Sequence, residues 1–363
     1  MYHDPAYIKL APGSLETWSE VEEESGIKLV TKTGGVFFIP NNESHEDVFG
    51  EYTKSLDAEN IKYNLMDGIE LNRRFPQFNT AEKDITAMYQ KDAGFVNAGL
   101  ANAVHAQLAR SRGAEILENT KVVNITKRGN LLDIDTTNGQ FTTGKLILAT
   151  GCWTNDLLKF FDLQVPITVT QEQVSYFSTP NIREFLPDKF PVWMSVGKEY
   201  DYYGVPINPG VNAAVKIAAD VSGNIVTPST RTFEANADRL AAAGEFLKDY
   251  FPRAYGPVAY SKTCLYELTP DRHFILDSLA SVGAPNVYSF VGCGHGFKFA
   301  SLVGKIFAEL ATTGKTQYPL SEDFRINRPI LRLMDAKGNI TFGKKSAWVT
   351  VDPIDGQPTK VPA

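Results

Sequence analysis

The residues best suited to chemistry lie between Cys264 and Lys298. A lone thiol comes first, then a strand-like run over Val287–Val291, then the glycine-rich turn Gly292-Cys293-Gly294-His295-Gly296-Phe297-Lys298 before a helical pattern. The start of a helix presents unpaired N–H groups and a partial positive charge, both of which favour an anion. Lys298 adds a full positive charge there. The pattern predicts a site for a large anionic or electron-accepting cofactor.

The glycine-rich turn has two other interpretations. Its spacing, Gly292-x-Gly294-x-Gly296, differs from the dinucleotide-binding G-x-G-x-x-G, and no strand with a terminal acid follows about 20 residues later. An ordinary dinucleotide fingerprint is therefore disfavoured. A tight turn followed by a surface lysine is the structural alternative, and the sequence leaves it open.

Cys264 and Lys216 also have structural alternatives. A free cysteine is commonly a small hydrophobic core residue. Lys216 lies in the apolar run Val215-Lys216-Ile217-Ala218-Ala219. A lysine in such a strand must be paired, be desolvated with a lowered pKa, or point outward into solvent at an edge of the sheet. The exposed edge is the common case.

Other sets of reactive residues are poorly supported. His273 and His295 lack a third and a fourth ligand at metal-binding spacing, and the three cysteines are too few and too scattered for a zinc site or a disulfide scaffold. No G-x-S-x-G sequence accompanies the serine, histidine and aspartate residues, so a hydrolase triad is unsupported. No metal site is expected.

Composition restricts the class of protein. The 363 residues allow two domains, and 43% hydrophobic with 11% aromatic residues is typical of a globular chain. A net charge of −6 argues against a nucleic-acid partner. No apolar run of membrane-spanning length, no signal peptide and no C-terminal peroxisomal tripeptide are found, so a cytoplasmic location without membrane association is expected.

The elements that must position these residues follow from local patterns. Ser14 is predicted to begin an amphipathic helix that ends at Gly26, and residues 28–40 are predicted to form paired strands around Gly34-Gly35. Asn97 is predicted to begin a helix closed by Gly113.

Farther along, Asn138-Gly139 predicts a hairpin, and the run 146–151 reads as a strand covered on both faces that stops beneath a ligand. Residues 167–216 are predicted to be mostly β, 229–251 largely helical, and 299–312 a helix stopped by Gly314. The order predicts interleaved lobes.

Together these segments resemble the monomeric sarcosine oxidase family. This family belongs to the D-amino-acid-oxidase-like flavoproteins, which also include the fructosyl amino acid oxidases. The resemblance runs from about Tyr7 to Pro329. The matching segments are Asp4-Pro5-Ala6-Tyr7, Thr31-Lys32-Thr33-Gly34-Gly35, Ala149-Thr150-Gly151-Cys152-Trp153-Thr154, Tyr202-Tyr203-Gly204-Val205-Pro206, the segment from Cys264 to Asp277, Gly294-His295-Gly296-Phe297-Lys298 and Ile326-Asn327-Arg328-Pro329.

The resemblance implies roles for individual residues. Cys264 would attach FAD through a thioether, and Lys216 would promote the reaction of the flavin with oxygen. Lys298 would bind the substrate carboxylate, with Tyr203 and Tyr266 as walls of the substrate pocket. The residues implied to contact the cofactor, besides Cys264 and Lys298, are Val122 on the adenine side and Thr150, Gly151, Trp153, Gly294, His295, Gly296 and Phe297.

The resemblance also implies an α/β (α+β) fold, in which an FAD-binding Rossmann-type lobe is interleaved with an antiparallel β-rich substrate lobe. The expected FAD-binding lobe comprises residues 1–30, 91–165 and 270–330. The expected substrate lobe comprises residues 31–90 and 166–269, and residues 331–363 are expected to form a C-terminal surface extension.

Two departures from the family pattern affect these expectations. The family opens with a βα unit that carries G-x-G-x-x-G and with a loop of arginines. This unit, on the order of 50 residues, is expected to be absent here, and with it the arginine partner of Lys298. Asp220 stands where sarcosine-type members can carry histidine, so the substrate is not fixed as sarcosine.

The sequence thus predicts an FAD-dependent oxidase of a secondary or N-methylated amino acid. Hydride would pass from the carbon beside the amine to the flavin, and O2 would reoxidise the flavin to give hydrogen peroxide. The expected partners are a small-molecule amine or amino acid and O2, and a monomer is expected. The alternative is a non-catalytic remnant or truncated chain that does not bind FAD.

Overall fold

The computed structural model describes residues 2, 4–41, 48–197, 200–334 and 340–341. The α-helices are α1 (Pro5–Ser25), α2 (Val48–Ala58), α3 (Gly68–Arg74), α4 (Ala98–Ser111), α5 (Thr154–Leu158), α6 (Ala237–Tyr250) and α7 (Ala300–Thr313). Short 3-10 helices span Gly151–Trp153, Lys159–Phe161, Ile182–Glu184, Leu279–Val282, Gly296–Phe299, Glu322–Phe324 and Pro329–Leu331.

The strands are spread along the whole described chain. They are β1 (Val30–Lys32), β2 (Gly35–Pro40), β3 (Asn64–Asp67), β4 (Ile85–Gln90), β5 (Gly94–Val96), β6 (Val122–Arg128), β7 (Leu131–Thr136), β8 (Gly139–Thr143), β9 (Leu146–Leu148), β10 (Thr168–Phe177), β11 (Val192–Ser195), β12 (Asp201–Val205), β13 (Val215–Asp220), β14 (Asn224–Ile225), β15 (Val258–Leu268), β16 (Ile275–Ser278), β17 (Val287–Val291), β18 (Leu333–Met334) and β19 (Ile340–Thr341).

Helix α1 begins earlier than its sequence predicted. Asp4 caps it by accepting a hydrogen bond from the Ala6 backbone N–H at 2.7 Å, and Pro5 stands at the first helical position, where proline is favoured. Ser14, the predicted cap, lies inside the helix and is buried. The prediction was wrong because Pro12-Gly13 weakens the helical signal, whereas tertiary packing carries the helix through it.

Other local signals worked as predicted. Gly26 ends α1 with φ 68°, and Gly314 ends α7 with φ 75°. The Asn97 side chain accepts a hydrogen bond from the Leu100 backbone N–H at the start of α4. The predicted hairpin between β7 and β8 is present, but its turn is Thr137-Asn138, one residue before the predicted Asn138-Gly139. The predicted helix over 229–251 is shorter, because Asn236 caps it and its first residue is Ala237.

The largest sheet contains nine strands in the order β14-β10-β13-β12-β11-β2-β4-β3, with β15 paired to β10. Strands β11 and β2 run parallel and the other neighbours run antiparallel. The predicted pairing within residues 28–40 was wrong. Strand β1 pairs with β5 instead of β2, because Thr33-Gly34 carries the chain from one sheet to the other.

Strand β9 lies in a smaller sheet of order β16-β17-β9, in which β17 runs parallel to β9 and antiparallel to β16. Among the described residues β9 pairs only with β17, and Ile147 is 43% exposed. The expectation of a strand covered on both faces is therefore wrong for the described chain. The parallel pairing places the carboxyl ends of β9 and β17 at the same edge, where ligands bind in open α/β sheets.

Separate hydrophobic clusters lie under these sheets. One includes Phe38, Trp193 and Leu247 beneath the nine-stranded sheet. Another joins α1 to α7 through Leu10 and Ile306. No helix among the described residues has both the length and the apolar character needed to cross a membrane. Most of the predicted extension over 331–363 lies outside the described residues.

Candidate active site

The nine-stranded sheet supplies four of the predicted site residues from three strands. Cys264 and Tyr266 lie two apart on β15 and therefore face the same side. Lys216 lies on β13, and Tyr203 lies on the neighbouring β12. Because β13 runs between β10 and β12, Lys216 does not lie at an edge of the sheet. The edge interpretation of this lysine is excluded.

Lys216 and the two tyrosines form a continuous group. The Lys216 Nζ lies 5.3 Å from the centre of the Tyr203 ring, and the hydroxyl oxygens of Tyr203 and Tyr266 are 3.5 Å apart. Burial raises the pKa of both tyrosines, so they stay neutral. Burial lowers the pKa of Lys216, and the Cys264 thiol opposes this shift. Lys216 is thus a desolvated lysine, the second of its predicted interpretations.

Cys264 is half-buried beside this group. Burial raises the pKa of its thiol, the nearby Glu172 carboxylate raises it further, and Lys216 opposes both. Glu172 lies directly opposite Cys264 in the pairing of β10 with β15. The thiol therefore rests in its protonated form. Cys264 and Lys216 face the same side of the sheet, because their partners on β10, Glu172 and Tyr176, are four residues apart.

The turn after β17 closes against Tyr266. Cys293 and Gly294 both have positive φ, at 50° and 75°. A Cβ built on Gly294 would overlap the Tyr266 ring, so this position has room for glycine alone. Gly296 is packed closely against Phe290. The turn thereby brings the backbone of Gly294 to the tyrosine that contacts Tyr203.

Lys298 lies at the open side of the site. Its Nζ donates a hydrogen bond to the Tyr2 hydroxyl at 2.9 Å. Desolvation of its ammonium group by the surrounding protein lowers the pKa of Lys298 to about 8, Arg272 adds to this shift and Asp220 opposes it. Helix α1 fixes the backbone here, because Ser14 and Trp18 both donate side-chain hydrogen bonds to the Lys298 carbonyl.

His295 extends the chain of hydrogen bonds that runs from Lys298 through Tyr2. The His295 Nε2 lies 3.1 Å from the Arg272 carbonyl, which can only accept, so Nε2 carries the proton. His295 Nδ1 therefore accepts a hydrogen bond from the Tyr2 hydroxyl at 2.9 Å. Burial lowers the pKa of His295 to about 3, and the Lys298 charge adds to the shift. The ring is a neutral link between Arg272 and Lys298.

Tyr2 and Arg272 were not singled out from the sequence. Arg272 donates a hydrogen bond through Nη2 to Asp220 Oδ2 at 3.0 Å. The two residues are 52 positions apart, and Arg272 reads along the chain as one more charge in a polar turn. No local signal places it opposite Asp220. Tyr2 gave no signal either, because a single aromatic residue near Met1 has no periodic context.

The other residues implied to contact the cofactor lie outside this hydrogen-bonded group. Thr150 and Gly151 follow β9, where the Thr154 hydroxyl donates to the Gly151 carbonyl at 2.7 Å. Trp153 is 48% exposed, and Phe297 is exposed beside Trp18. Val122, which the resemblance implies contacts the adenine side of FAD, begins β6 and packs against the hydrophobic cluster that contains Leu148 and Val291.

The residues present fit a flavin at this edge. The parallel strands β9 and β17 both end there in turns with positive φ, at Gly151 and at Gly294. Such turns let a cofactor approach the backbone closely. The half-buried thiol of Cys264 faces the same side of β15 as Tyr266, whose ring packs on Gly294. Within the described residues no cluster of three or more metal-binding side chains occurs.

The chain is similar to known flavoproteins over most of its length. A family model described as "FAD dependent oxidoreductase" (DAO) matches residues 1–310. Monomeric sarcosine oxidase of Bacillus sp. (strain B-0618) is 32% identical over 329 residues, which is 90% of this chain and 82% of that protein. N-methyl-L-tryptophan oxidase of Escherichia coli (strain K12) is 26% identical over 326 residues, 89% of this chain and 84% of that protein.

Solved structures agree in fold. NikD, an unusual amino acid oxidase essential for nikkomycin biosynthesis, superposes with a TM-score of 0.76 at 22% identity, covering 87% of this chain and 82% of that one. L-proline dehydrogenase from P. horikoshii gives a TM-score of 0.76 at 22% identity, with 90% and 85% covered. The fold alone does not identify the family, whereas the family match and the sequence relatives do. The chain is an enzyme that belongs to the family of FAD-dependent oxidoreductases.

Proposed function

We propose that the protein is an oxidase of a secondary or N-methylated amino acid. The relatives named for sarcosine and N-methyl-L-tryptophan support this substrate class. FAD, when bound, would supply the acceptor for a hydride from the carbon beside the amine, with O2 as the final oxidant that becomes hydrogen peroxide, and water would hydrolyse the imine product. Amine oxidation then needs a pocket that orients the amino acid and a cation that assists oxygen reduction.

Cys264 is proposed to hold the flavin covalently through a thioether. In support, its thiol is half-buried, faces the same side of β15 as Tyr266, and interacts electrostatically with Lys216. A tether here would keep the flavin beside both residues. The other residues proposed to contact FAD are Val122, Thr150, Gly151, Trp153, Gly294, His295, Gly296, Phe297 and Lys298.

Lys216 is proposed to promote the reaction with oxygen. Negative charge develops on O2 as it accepts the first electron, and a fixed cation in a desolvated site stabilises such charge strongly. Lys216 is internal in the sheet and lies over Tyr203. These features support an oxygen-facing role and do not support a surface ion pair.

Lys298 is proposed to bind the substrate carboxylate, with Tyr203 and Tyr266 as walls of the pocket. The tyrosines are neutral and in mutual contact, so they offer an apolar surface with two hydroxyl groups. A substrate held between this pair and Lys298 would have its amine directed toward the flavin face. Orientation of this kind lowers the barrier by removing freedom that the free reactants have.

The division into lobes follows the same proposal. Residues 1–30, 91–165 and 270–330 would form the FAD-binding lobe, and residues 31–90 and 166–269 the substrate lobe. A monomer that takes a small amine and O2 is proposed, and the relatives named monomeric sarcosine oxidase support it.

The observation that carries the proposal is that Cys264, Lys216 and the Tyr203–Tyr266 pair share one face of the nine-stranded sheet, where Tyr266 packs on the Gly294 turn. The test is the visible absorption spectrum of the purified protein before and after acid precipitation, followed by peroxide detection with N-methylated amino acids. Yellow colour in the pellet and peroxide from sarcosine or a homologue are expected. A colourless protein without peroxide formation would instead identify a remnant that does not bind FAD.

A further inference from the structure

Glu267 connects the two turns at which the cofactor is proposed to lie. It follows Tyr266 on β15, so its side chain points to the opposite side of that strand. Its Oε1 accepts a hydrogen bond from the Gly292 backbone N–H at 3.0 Å, and its Oε2 lies 3.9 Å from the Sγ of Cys152. Gly292 follows β17, and Cys152 belongs to the turn after β9. One carboxylate therefore bridges the carboxyl ends of both parallel strands.

Strand β15 is open to a cofactor along one edge. Among the described residues it pairs with β10 alone. The turn after β17 contacts residues on both sides of β15, because Gly294 packs on Tyr266 and Gly292 bonds to Glu267. Glu267 lies three residues, about 10 Å, from Cys264 along the strand. A flavin ring attached at Cys264 thus leaves Glu267 for a part of the cofactor beyond the ring.

The Glu267 carboxylate has few hydrogen-bond donors around it. Burial raises its pKa, and the Gly292 N–H opposes that rise. In the part of the chain that the structure describes, no cationic side chain contributes to this pKa. An ionised carboxylate offers about four acceptor positions, whereas the protein supplies one backbone N–H and the weak donor of a thiol. Open acceptor positions on a buried carboxylate are costly, and a ligand that donates would fill them.

The chemistry of FAD selects the part that suits this position. A pyrophosphate is anionic and would be repelled by the carboxylate, and the carbonyl oxygens of the flavin ring only accept hydrogen bonds. Hydroxyl groups donate without adding charge. Dinucleotide-binding folds use an acidic side chain in this way to bind ribose hydroxyl groups. FAD carries three such hydroxyl groups on the ribityl chain that joins its ring to the pyrophosphate.

We propose that Glu267 binds the ribityl hydroxyl groups of the flavin and so holds this chain at the turns after β9 and β17. The inference rests on the proposed FAD-dependent function and adds a cofactor contact that the resemblance did not imply. Glu267 acts as a hydrogen-bond acceptor and takes no part in hydride transfer. Its loss weakens the binding of flavins that carry a ribityl chain and spares those that lack it.

The test compares Glu267→Gln with Glu245→Gln, each combined with Cys264→Ser so that flavin binding is reversible. Glutamine keeps an acceptor for the Gly292 N–H. Glu245 is exposed on α6 in an ion pair with Lys248, so its substitution removes the same charge outside the site. The probes are riboflavin, which carries the ribityl chain, and lumiflavin, which has a methyl group in its place. Quenching of flavin fluorescence gives each Kd, and Tm without flavin reports folding.

Glu267→Gln is expected to raise the riboflavin Kd at least tenfold, which corresponds to about 1.4 kcal/mol. The lumiflavin Kd should change less than twofold, and Glu245→Gln should leave both values within twofold. The FAD Kd should rise with that of riboflavin. Glu267→Asp, whose carboxylate ends one methylene short, should also weaken riboflavin alone and covers the case in which the glutamine variant fails to fold.

Two outcomes overturn the proposal. An unchanged riboflavin Kd would exclude a contact between Glu267 and the ribityl chain. Equal weakening of riboflavin and lumiflavin would assign the effect to the ring or to the turn at Gly292. The proposed oxidase function fails separately, if the wild-type protein binds flavin and oxidises no N-methylated amino acid, and the Glu267 result then stands with another substrate class. A protein that binds neither probe nor FAD would overturn both.

Discussion

The ring of Tyr266 packs directly on the backbone of Gly294, at a point where a Cβ would overlap the ring. Tyr266 in turn lies 3.5 Å, oxygen to oxygen, from Tyr203. The turn after β17 therefore sets the position of the tyrosine pair, although β17 belongs to the three-stranded sheet and both tyrosines belong to the nine-stranded sheet. Glycine at this position is required both by its φ of 75° and by the ring.

Gly294→Ala is expected to destabilise the protein by about 1–3 kcal/mol, through strain at positive φ and displacement of Tyr266. The control is Gly304→Ala in α7, where nothing lies within 4 Å of a new Cβ. Alanine at a helix interior should stabilise by up to about 1 kcal/mol. Urea unfolding gives the free energy of unfolding of each variant. Equal stabilities for the two variants would contradict the packing argument.

Lys216→Met in the flavin-containing protein is expected to slow reoxidation of the reduced flavin by O2 by on the order of 100-fold, because a fixed cation near the developing negative charge is lost. Reduction of the flavin by substrate should change much less. Stopped-flow absorbance separates the two half-reactions. Lys248→Met is the control, because Lys248 is exposed on α6, which packs against the opposite face of the sheet from Lys216, and it should leave both rates near wild type. Equal slowing of both half-reactions would remove the oxygen-specific role.

Cys264→Ser is expected to convert a covalently held flavin into a dissociable one, since an alcohol cannot form the thioether. Acid precipitation should then release the yellow colour into the supernatant. Cys152→Ser is the matched control, a partly buried thiol whose pKa is raised by burial to about 12. Its pellet should stay yellow. Colour that remains in the Cys264→Ser pellet would place the attachment at another residue.

Acetate binding should weaken as pH rises through about 8, because the Lys298 pKa is lowered to that value and binding requires the ammonium form. The sign follows from linkage: an anion that binds only protonated Lys298 loses up to tenfold in affinity for each pH unit above the pKa of the free lysine. Inhibition constants for acetate measured from pH 6 to 10 report this directly. Lys298→Gln should bind acetate weakly and without this dependence, and a wild-type profile that is flat across pH 8 would refute the role.

Local chemistry made part of this protein predictable from sequence. The Asn97 cap and the glycines that end α1 and α7 each depend on a few consecutive residues and were predicted correctly, and the β7–β8 hairpin was predicted with its turn one residue too late. The strand over Val287–Val291 was also predicted from its run of apolar residues, and the turn that follows it from its glycines. The resemblance then supplied the family, which the comparisons confirm.

Pairing between distant segments was not predictable in this way. Nothing in residues 28–40 indicates that β1 pairs with β5 and β2 with β4, because strand partners are selected by burial of whole faces. The start of α1 at Asp4 was missed for a related reason. Its first turns are stabilised by contacts such as Tyr7 against Phe274 and Phe324, which the local pattern does not contain.

The sequence by itself determined several helix ends and strands, the family and the identity of the candidate reactive side chains, because those depend on residue type and short-range order. Only the tertiary structure decided that Lys216 is internal in its sheet, that Gly294 supports Tyr266, and that Arg272 reaches Asp220 beside Lys298. Those relationships join residues from separate strands and turns. Their charges and contacts act over a few ångströms, and the folded chain alone brings them within that range.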